Sequence, residues 1–228
     1  MGPTWQVGVR HYREVVDDID LSGLRREYAA AGLDEEAAGD DPIALFDEWM
    51  SDAVASGMHE PNAMALATAT PDGHPSVRIV LLKGFDAGGA RFYTNYESRK
   101  ADELEANPRA ACTMLWNSIQ RQVRIEGTVT RATPADSDAY FTSRPRGSQL
   151  GAIASPQSRA VRDRDELDRR YADVAAASAD EVARPAYWGG YVLRPDMIEF
   201  WQGRESRLHD RIRFRRAPSG WRRDRLAP

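Results

Sequence analysis

The sequence has 228 residues, of which 42% are hydrophobic and 29% are charged, and its formal net charge is −4. This balance is ordinary for a globular protein with a hydrophobic core and excludes a disordered chain. A single cysteine, Cys112, excludes an intrachain disulfide and is typical of a reducing compartment. The sequence shows no apolar run of membrane-spanning length and no signal-peptide pattern. We therefore expect a cytoplasmic protein that does not enter the membrane.

Positive charge is carried almost entirely by arginine. Of the 31 basic residues only Lys83 and Lys100 are lysines, and both lie within residues 78–100. A retained ammonium group indicates a position where a compact point charge is needed. Residues 204–228 have a net charge of +6, but their arginines alternate with apolar residues as in a strand. Without a series of stacking aromatic residues, this pattern does not favour nucleic-acid binding.

The N-terminal part has three segments. Residues 1–20 show no clear period and are expected to be mobile, residues 21–31 are compatible with a short helix, and residues 32–41 are acidic and resemble a mobile link. Asp41 and Pro42 then predict a helix start, with Phe46, Trp49 and Ala53 on one apolar face.

From Ala63 the hydrophobic period changes to two. Residues 63–70, 76–85 and 90–96 are predicted as a meander of strands, followed by a helix that begins near Ser98 and ends at Asn107. Further strands are predicted at 110–118, 121–132, 187–203 and 207–228, with helices at 135–144, 147–155 and 158–177. At least six mostly antiparallel strands with helices between them predict a mainly β (α+β) fold, a β-barrel with peripheral helices forming one domain.

The helix start near Ser98 is the first candidate site. Arg99 and Lys100 lie in the first turn, where cations oppose the helix dipole. Backbone N–H groups together with two cations favour a bound phosphate, and Arg78 would supply a third cation. The alternative is that these side chains are solvated on a surface helix.

The strand before this helix places Arg78, Val80 and Leu82 on one face and Ile79, Leu81 and Lys83 on the other. Spacing alone does not decide whether its two charged ends reach solvent or a ligand.

Tyr140 and Arg144 form another candidate site, because they lie four residues apart on one helix face, with Ser148 just beyond. One guanidinium and two hydroxyls would form a second phosphate cradle. A tyrosine packed over an arginine stem explains the same spacing equally well.

Arg207, His209 and Arg211 are predicted to alternate on one face of a strand, just after Trp201. Converging cations repel one another unless an anion or an electron-rich ring lies among them, which favours a site here. The four histidines lack metal-ligand spacing, and we find no phosphate-binding glycine loop or nucleophile elbow. We therefore expect no metal and a bound organic cofactor.

Several stretches together resemble the pyridoxamine/pyridoxine 5′-phosphate oxidases, the FMN enzymes that make pyridoxal phosphate. The matching pieces are RREY (25–28), RIVLLK (78–83), FYTN with SRK (92–100), RQV (121–123), YFTSRPRGSQLGAIAS with Gln157 and Ser158 (140–158), EFWQG (199–203), RLHDR (207–211) and DRLAP (224–228). The resemblance implies one split β-barrel domain over residues 21–228 and a homodimer with two FMN sites at the subunit interface.

The resemblance also assigns residues to roles. Cofactor binding would fall to Arg78, Ile79, Val80, Leu81, Leu82, Lys83, Tyr93, Thr94, Arg99, Lys100, Gln122, Gln157, Ser158, Trp201 and Arg211. Substrate binding would fall to Arg25, Arg26, Glu27, Tyr28, Lys83, Tyr140, Arg144, Ser148, Arg207, Leu208 and His209, with Arg207 and His209 as the catalytic pair. Residues 21–41 would contain a lid over the substrate.

The implied reaction oxidises the C4′ amine of pyridoxamine 5′-phosphate or the C4′ alcohol of pyridoxine 5′-phosphate, with hydride passing to the flavin and then to O2, giving pyridoxal 5′-phosphate and H2O2. Two alternatives remain at this point. One is another flavin oxidoreductase on the same barrel, such as a phenazine-pathway oxidase. The other is a flavin- or pyridoxal-phosphate-binding module without turnover.

Overall fold

The computed structural model describes residues 32–228, so the predictions for residues 1–20 and for Arg25, Arg26, Glu27 and Tyr28 lie outside the described part of the chain. The strands of this part are β1 (Ala63–Ala69), β2 (Pro75–Leu81), β3 (Gly84–Asp86), β4 (Gly89–Asn95), β5 (Arg109–Trp116), β6 (Arg121–Arg131), β7 (Trp188–Gln202), β8 (Asp210–Ala217) and β9 (Gly220–Arg225). Its α-helices are α1 (Glu35–Ala38), α2 (Pro42–Ala55), α3 (Arg99–Ala106), α4 (Pro134–Ser143), α5 (Arg146–Ala154) and α6 (Arg164–Ala177).

The strands form one antiparallel sheet in the order β2-β1-β5-β6-β7-β4-β3, and β8 and β9 extend from β7. Although β2 and β3 stand at opposite ends of this order, only residues 82–83 separate them along the chain. The sheet must therefore curl until its two edges meet. This arrangement is the barrel with peripheral helices that the sequence predicted.

The chain changes sheet edge at Leu82 and Lys83. The N–H of Leu82 donates to the carbonyl of Asn62, beside β1, at 2.9 Å, and the N–H of Lys83 donates to the carbonyl of Arg91 in β4 at 2.8 Å. The prediction of one strand over residues 76–85 is therefore wrong. It is two strands with different partners, and β2 does not form the predicted hairpin with β4.

The barrel core is aromatic on the side that α2 covers. Phe46 packs edge-on against Phe85 at 4.6 Å, and Trp49 packs edge-on against Phe200 at 5.2 Å. The predicted start of α2 is confirmed, because the side chain of Asp41 accepts a hydrogen bond from the N–H of Ile43. Burying these large rings supplies much of the hydrophobic stabilisation of such a fold.

The acidic residues before α2 are fixed in the structure rather than loose. Asp34 caps α1 by accepting from the N–H of Ala37 at 2.8 Å, and Leu33 is buried. Arg225 of β9 donates to Glu35 at 2.7 Å and to the carbonyl of Leu33 at 3.0 Å. The interpretation of residues 32–41 as a mobile link is therefore replaced by a short capped helix tied to the C-terminal hairpin.

Two other boundaries differ from the prediction. The charged helix α6 begins at Arg164, because Asp163 caps it, and not near Ser158. The last strands begin at Asp210, and residues 205–207 form a short 3-10 turn. None of the helices within residues 32–228 is long and apolar enough to cross a membrane.

Candidate functional site

A cavity of about 680 Å³ opens where the β2 edge of the barrel meets β4, a volume usual for small-molecule sites. Strands β2 and β4, helices α3, α4 and α5, the loops at both ends of α5 and the first residue of β7 contribute to its wall. The predicted site residues that line it are Arg78, Ile79, Val80, Leu81, Lys83, Tyr93, Thr94, Lys100, Tyr140, Arg144, Ser148, Gln157 and Ser158. Pro145 and Trp188 complete the lining.

The cavity gathers four cations, and three of them have no carboxylate partner. Lys83, Lys100 and Arg144 form no ion pair within the described residues, whereas Arg78 pairs with Glu103 at 3.2 Å. Most arginines elsewhere in residues 32–228 pair with an acid. Unpaired cations in a concave site favour an anionic ligand, because like charges brought together are otherwise repulsive.

Lys100 is the most buried of these cations, with only 7% of its surface exposed. Its Nζ donates to Thr94 Oγ1 at 2.9 Å, to Gln157 Oε1 at 2.8 Å and to Ser98 Oγ at 3.2 Å. Burial, together with the positive charge of Arg78, lowers the pKa of this ammonium to about 8. Helix α3 thus brings a cation with neutral hydrogen-bond acceptors into the cavity, as predicted from its start near Ser98.

A buried carboxylate below the cavity orients the two arginines predicted for the same site. Glu103 Oε1 accepts from Arg99 Nε at 2.8 Å, and Oε2 accepts from Arg78 and from the hydroxyls of Thr68 and Ser76. Burial tends to raise the pKa of Glu103, but these hydrogen bonds prevail and lower it to about 2. Arg99 itself faces Glu103, and its side chain is not part of the cavity wall in the single chain.

Leu82 is the other predicted residue of this stretch that does not reach the cavity. Its side chain is 5% exposed and packs in the barrel core, because the alternation of β2 continues through it.

An aromatic stack forms the opposite wall. The rings of Tyr93 and Tyr140 lie 3.9 Å apart and nearly parallel, and Trp188 lies parallel to Tyr140 at 6.1 Å. Gly190 permits this arrangement, because a Cβ there would approach the Tyr93 ring to 2.8 Å. Sequence reasoning missed Trp188, although the small residues that follow it, Gly189 and Gly190, indicate close packing at that strand start.

The predicted cradle of Tyr140, Arg144 and Ser148 is brought together at this wall. The Arg144 guanidinium lies 4.7 Å from the Trp188 ring centre, and its Nη1 is buried with no hydrogen-bond partner among the described residues. Burial lowers the pKa of Arg144. A buried donor without an acceptor is costly, so the geometry calls for a ligand oxygen at this point. Lys83 lies 5.9 Å from the Tyr140 ring centre and adds a second cation.

The remaining predicted residues form a second group away from the cavity. Gln122, Trp201 and Arg211 are direct neighbours in one row across β6, β7 and β8. Arg211 Nε donates to the buried Glu199 at 2.8 Å, which raises the pKa of the guanidinium. Leu208 lies nearby in the loop before β8 and is 70% exposed.

Arg207 and His209 do not alternate on a strand, and that prediction is wrong. Arg207 ends a 3-10 turn with a left-handed backbone (φ +60°), which its residue type does not signal. His209 precedes β8; its ring lies 4.7 Å from Trp201, and its Nδ1 accepts a hydrogen bond from the backbone N–H of Arg204 at 3.1 Å. Burial and the charge of Arg207 lower the pKa of His209. Arg204, which had no predicted role, thus fixes the histidine ring.

Comparison with known families decides the affiliation. A family profile described as pyridoxamine 5′-phosphate oxidase matches residues 50–177, and one described as the pyridoxine 5′-phosphate oxidase C-terminal dimerisation region matches residues 188–228. The chain belongs to the pyridoxine/pyridoxamine 5′-phosphate oxidase family. This confirms the resemblance seen in the sequence. The dimerisation region supports the predicted homodimer, and it contains every member of the second group except Gln122.

Individual relatives agree with this affiliation. The chain is 58% identical to a pyridoxine/pyridoxamine 5′-phosphate oxidase from Rubrobacter xylanophilus, over 92% of this chain and 97% of the relative. It is 55% identical to a protein of the same name from Salinibacter ruber, over 91% and 99% of the two chains.

Solved structures confirm the fold class. PhzG from Burkholderia lata, in complex with tetrahydrophenazine-1-carboxylic acid, is 30% identical, with a TM-score of 0.82 over 88% of this chain and 100% of that one. A pyridoxamine 5′-phosphate oxidase-related, FMN-binding protein from Nostoc punctiforme shares the fold at 19% identity, with a TM-score of 0.66 over 80% and 97% of the chains.

Proposed function

We propose that this protein is an FMN-dependent oxidase that converts pyridoxine 5′-phosphate or pyridoxamine 5′-phosphate with O2 to pyridoxal 5′-phosphate and H2O2. The observation that carries the proposal is the cavity with three unpaired cations, Lys83, Lys100 and Arg144, which suits two phosphorylated ligands side by side. Relatives more than 50% identical carry the name of this activity.

The cavity residues fit FMN. Arg78 and Lys100 offer cations for a phosphate, with the side chains of Thr94, Gln157 and Ser158 beside them. Strand β2 presents the apolar wall of Ile79, Val80 and Leu81, which suits a flat ring. When bound, FMN supplies the two-electron acceptor that none of the twenty side chains provides.

Lys83, Tyr140, Arg144 and Ser148 would hold the substrate phosphate. Lys83 and Arg144 supply two positive charges, and the two hydroxyls supply donors that adapt to the phosphate oxygens. Fixing the phosphate in this way would orient the C4′ group toward the cofactor and bring reacting atoms into register.

The second group would complete the site from a second copy of the chain, and FMN would then lie at the subunit interface. In the single chain, Gln122, Trp201, Arg207, His209 and Arg211 do not line the cavity. Two apolar side chains favour a covering subunit: Ile79 at the cavity mouth is 66% exposed, and Leu208 beside His209 is 70% exposed. Arg207 and His209 would then contact the substrate ring, and Arg211 would stabilise negative charge on the cofactor ring.

The segment Arg25–Tyr28 remains a proposed lid. Leu33, five residues beyond it, donates its N–H to Asp210 Oδ2 at 2.9 Å, directly beside His209. Leu33, near the start of the described residues, is thus held close to His209.

Oxygen uptake by the purified, FMN-loaded protein is the direct test. We expect uptake with H2O2 formation in the presence of pyridoxine 5′-phosphate or pyridoxamine 5′-phosphate. The absence of uptake with both substrates would refute the oxidase and leave the binding module. A phenazine-type oxidase is disfavoured because the cradle of Lys83, Tyr140, Arg144 and Ser148 suits a phosphate.

The shared site is tested by mixing two inactive variants. Arg144→Gln damages the cavity, and Arg207→Met damages the group that a second copy would supply. If each site combines both copies, heterodimers of the two variants contain one intact site, and about half of the wild-type activity per heterodimer should return. If both groups act within one chain, no heterodimer site is intact and no activity returns.

A further inference from the structure

The indole of Trp188 has no assigned role in the site just described. We propose that Trp188 is a positioning residue for the substrate phosphate: it holds the guanidinium of Arg144 in the cavity without neutralising its charge. This inference rests on the proposed function and deepens it, because it names what prepares the phosphate cradle before substrate arrives.

Aromatic rings, and not a carboxylate, orient Arg144. Its Cζ lies 4.7 Å from the Trp188 ring centre and 5.8 Å from that of Phe141, and within residues 32–228 it forms no ion pair with a carboxylate. Arg78, at the other end of the cavity, is instead anchored by Glu103 at 3.2 Å. The two ends of the cavity therefore use different means to orient an arginine.

An aromatic face and a carboxylate differ in what they leave for a ligand. A carboxylate orients a guanidinium but cancels its charge and occupies its N–H donors. The face of a tryptophan attracts the cation through the ring quadrupole and leaves the in-plane N–H groups unused. The buried, partnerless Nη1 of Arg144 is such a group. The arrangement thus preserves a full positive charge and a desolvated donor for a phosphate dianion.

Trp188 is itself rigidly placed, as a positioning residue must be. It is 6% exposed, and its backbone N–H donates to the carbonyl of Pro185 at 3.0 Å. Its carbonyl accepts from Arg184 Nη1 at 2.6 Å, and Phe141 packs edge-on against its ring at 5.1 Å. Because these contacts do not involve Arg144, the ring is fixed independently of the guanidinium that it supports.

The test compares phosphorylated and unphosphorylated ligands on the FMN-loaded protein. Titration calorimetry would measure the Kd of 4-deoxypyridoxine 5′-phosphate, which has no oxidisable group at C4′, and of 4-deoxypyridoxine. We expect Trp188→Leu to weaken binding of the phosphorylated ligand about tenfold and Trp188→Phe about threefold, in line with the strength of a partly desolvated cation–π contact. Binding of the unphosphorylated ligand should change less than twofold. In turnover, KM should rise with little change in kcat.

A double-mutant cycle separates positioning from general packing. In an Arg144→Gln background, Trp188→Leu should cause no further loss of phosphorylated-ligand affinity. Trp221→Leu is the matched control, because it removes a similar contact with Arg216 (4.3 Å) on the C-terminal hairpin, and it should leave the Kd unchanged. The proposal would be overturned if Trp188→Leu weakened the binding of both ligands equally. It would also be overturned if Trp188→Leu weakened phosphorylated-ligand binding as much in the Arg144→Gln background as in wild type. If Trp188→Leu does not fold, Trp188→Phe provides the same comparison. If the wild-type protein shows no preference for the phosphorylated ligand, the proposed function itself is refuted.

Discussion

Gln157 accepts a hydrogen bond of 2.8 Å through its Oε1 from the Nζ of Lys100, at the proposed cofactor end of the cavity. The partners of this ammonium are neutral, so its charge is available to a phosphate, but burial makes the charge costly and lowers its pKa to about 8. As pH rises, deprotonation of this one ammonium should therefore weaken FMN binding but stabilise the ligand-free protein.

The first consequence concerns FMN affinity. Because only protonated Lys100 attracts the phosphate, the affinity should fall as pH rises through about 8. Titration of the apoprotein with FMN between about pH 7 and 9.5, followed by flavin fluorescence, measures this dependence. In Lys100→Met the affinity should be lower at pH 7 and lose this step. An unchanged affinity at pH 7 would remove Lys100 from the phosphate site.

The second consequence concerns the stability of the ligand-free protein. The pKa of Lys100 is about 8 in the folded state and about 10.4 in the unfolded chain, so between these values the unfolded state binds more protons. The contribution of Lys100 to the free energy of unfolding should therefore rise with pH over this window. Urea unfolding of wild type and Lys100→Met at several pH values measures this contribution, because the other titrating groups are common to both proteins and drop out of the difference. If the free energy of unfolding of wild type minus that of Lys100→Met falls with pH, Lys100 does not have a lowered pKa in the folded state.

Glu103 is expected to strengthen FMN binding although it is negatively charged. Its carboxylate orients both Arg78 and Arg99, and Glu103→Gln would leave these guanidinium groups without that anchor. We expect a loss of FMN affinity of about tenfold, the size of one charge-assisted hydrogen bond. Glu105→Gln, on the same helix, breaks a similar pair with Arg131 away from the cavity and serves as the control. Tighter FMN binding by Glu103→Gln would show that the carboxylate competes with the phosphate.

His209 is expected to act as a hydrogen-bond donor and not as a base. The backbone N–H of Arg204 is an obligatory donor, so Nδ1 must accept, and the proton of the neutral ring lies on Nε2. Nitrogen-15 NMR of labelled histidine should show this tautomer at pH 7. The pKa should lie below the usual value of about 6.5 and rise in Arg207→Met, because the charge of Arg207 lowers it. A pKa unaffected by that substitution would place Arg207 too far away to influence the ring.

Gly127 should be essential for stability. The pairing of β6 and β7 shifts register between Glu126 and Gly127, where Pro195 is accommodated in the middle of a long strand. A Cβ at position 127 would overlap the carbonyl of Arg194. We expect Gly127→Ala to lower the free energy of unfolding by about 3 kcal/mol, the upper end of the usual range for overpacked sites, because the clash is with backbone. Gly151→Ala is the control, since open space surrounds that helical position, and it should be neutral or stabilising by up to about 1 kcal/mol. Equal effects of the two substitutions in chemical denaturation would contradict this.

Local signals in the sequence were sufficient for the helix ends. The pairs Asp41-Pro42 and Asn107-Pro108 mark the start of α2 and the end of α3 by capping and by the missing proline N–H, and the structure confirms both boundaries. The charges of Arg78, Lys83 and Lys100 stand out against apolar or helix-dipole patterns, but these patterns left open whether the side chains reach solvent or a ligand, and only the family resemblance assigned them to a site.

Features that depend on distant partners were not predictable in this way. Residues 76–85 keep one alternation throughout, so nothing local marks the change of sheet edge at Leu82 and Lys83. Around Arg207, alternating charges imitate a strand, while the left-handed backbone is imposed by the turn. In the sequence, Glu103 is typical of a solvated helix position. It is buried because β1 and β2, through Thr68 and Ser76, pack on α3.

The two-residue connection between β2 and β3 has a consequence for the distance between the two proposed phosphate sites. Arg78 belongs to one edge of the sheet, and Lys83 follows the change to the other edge. Their separation is therefore set by the girth of the barrel and not only by the rise along a strand. Substitutions among interior side chains such as Met64 and Leu66, which do not themselves line the cavity, would change that girth. Hydride transfer depends steeply on the alignment of the reacting atoms. The packing of the hydrophobic interior would therefore help to determine the reaction rate, because it sets the spacing of the two phosphate sites.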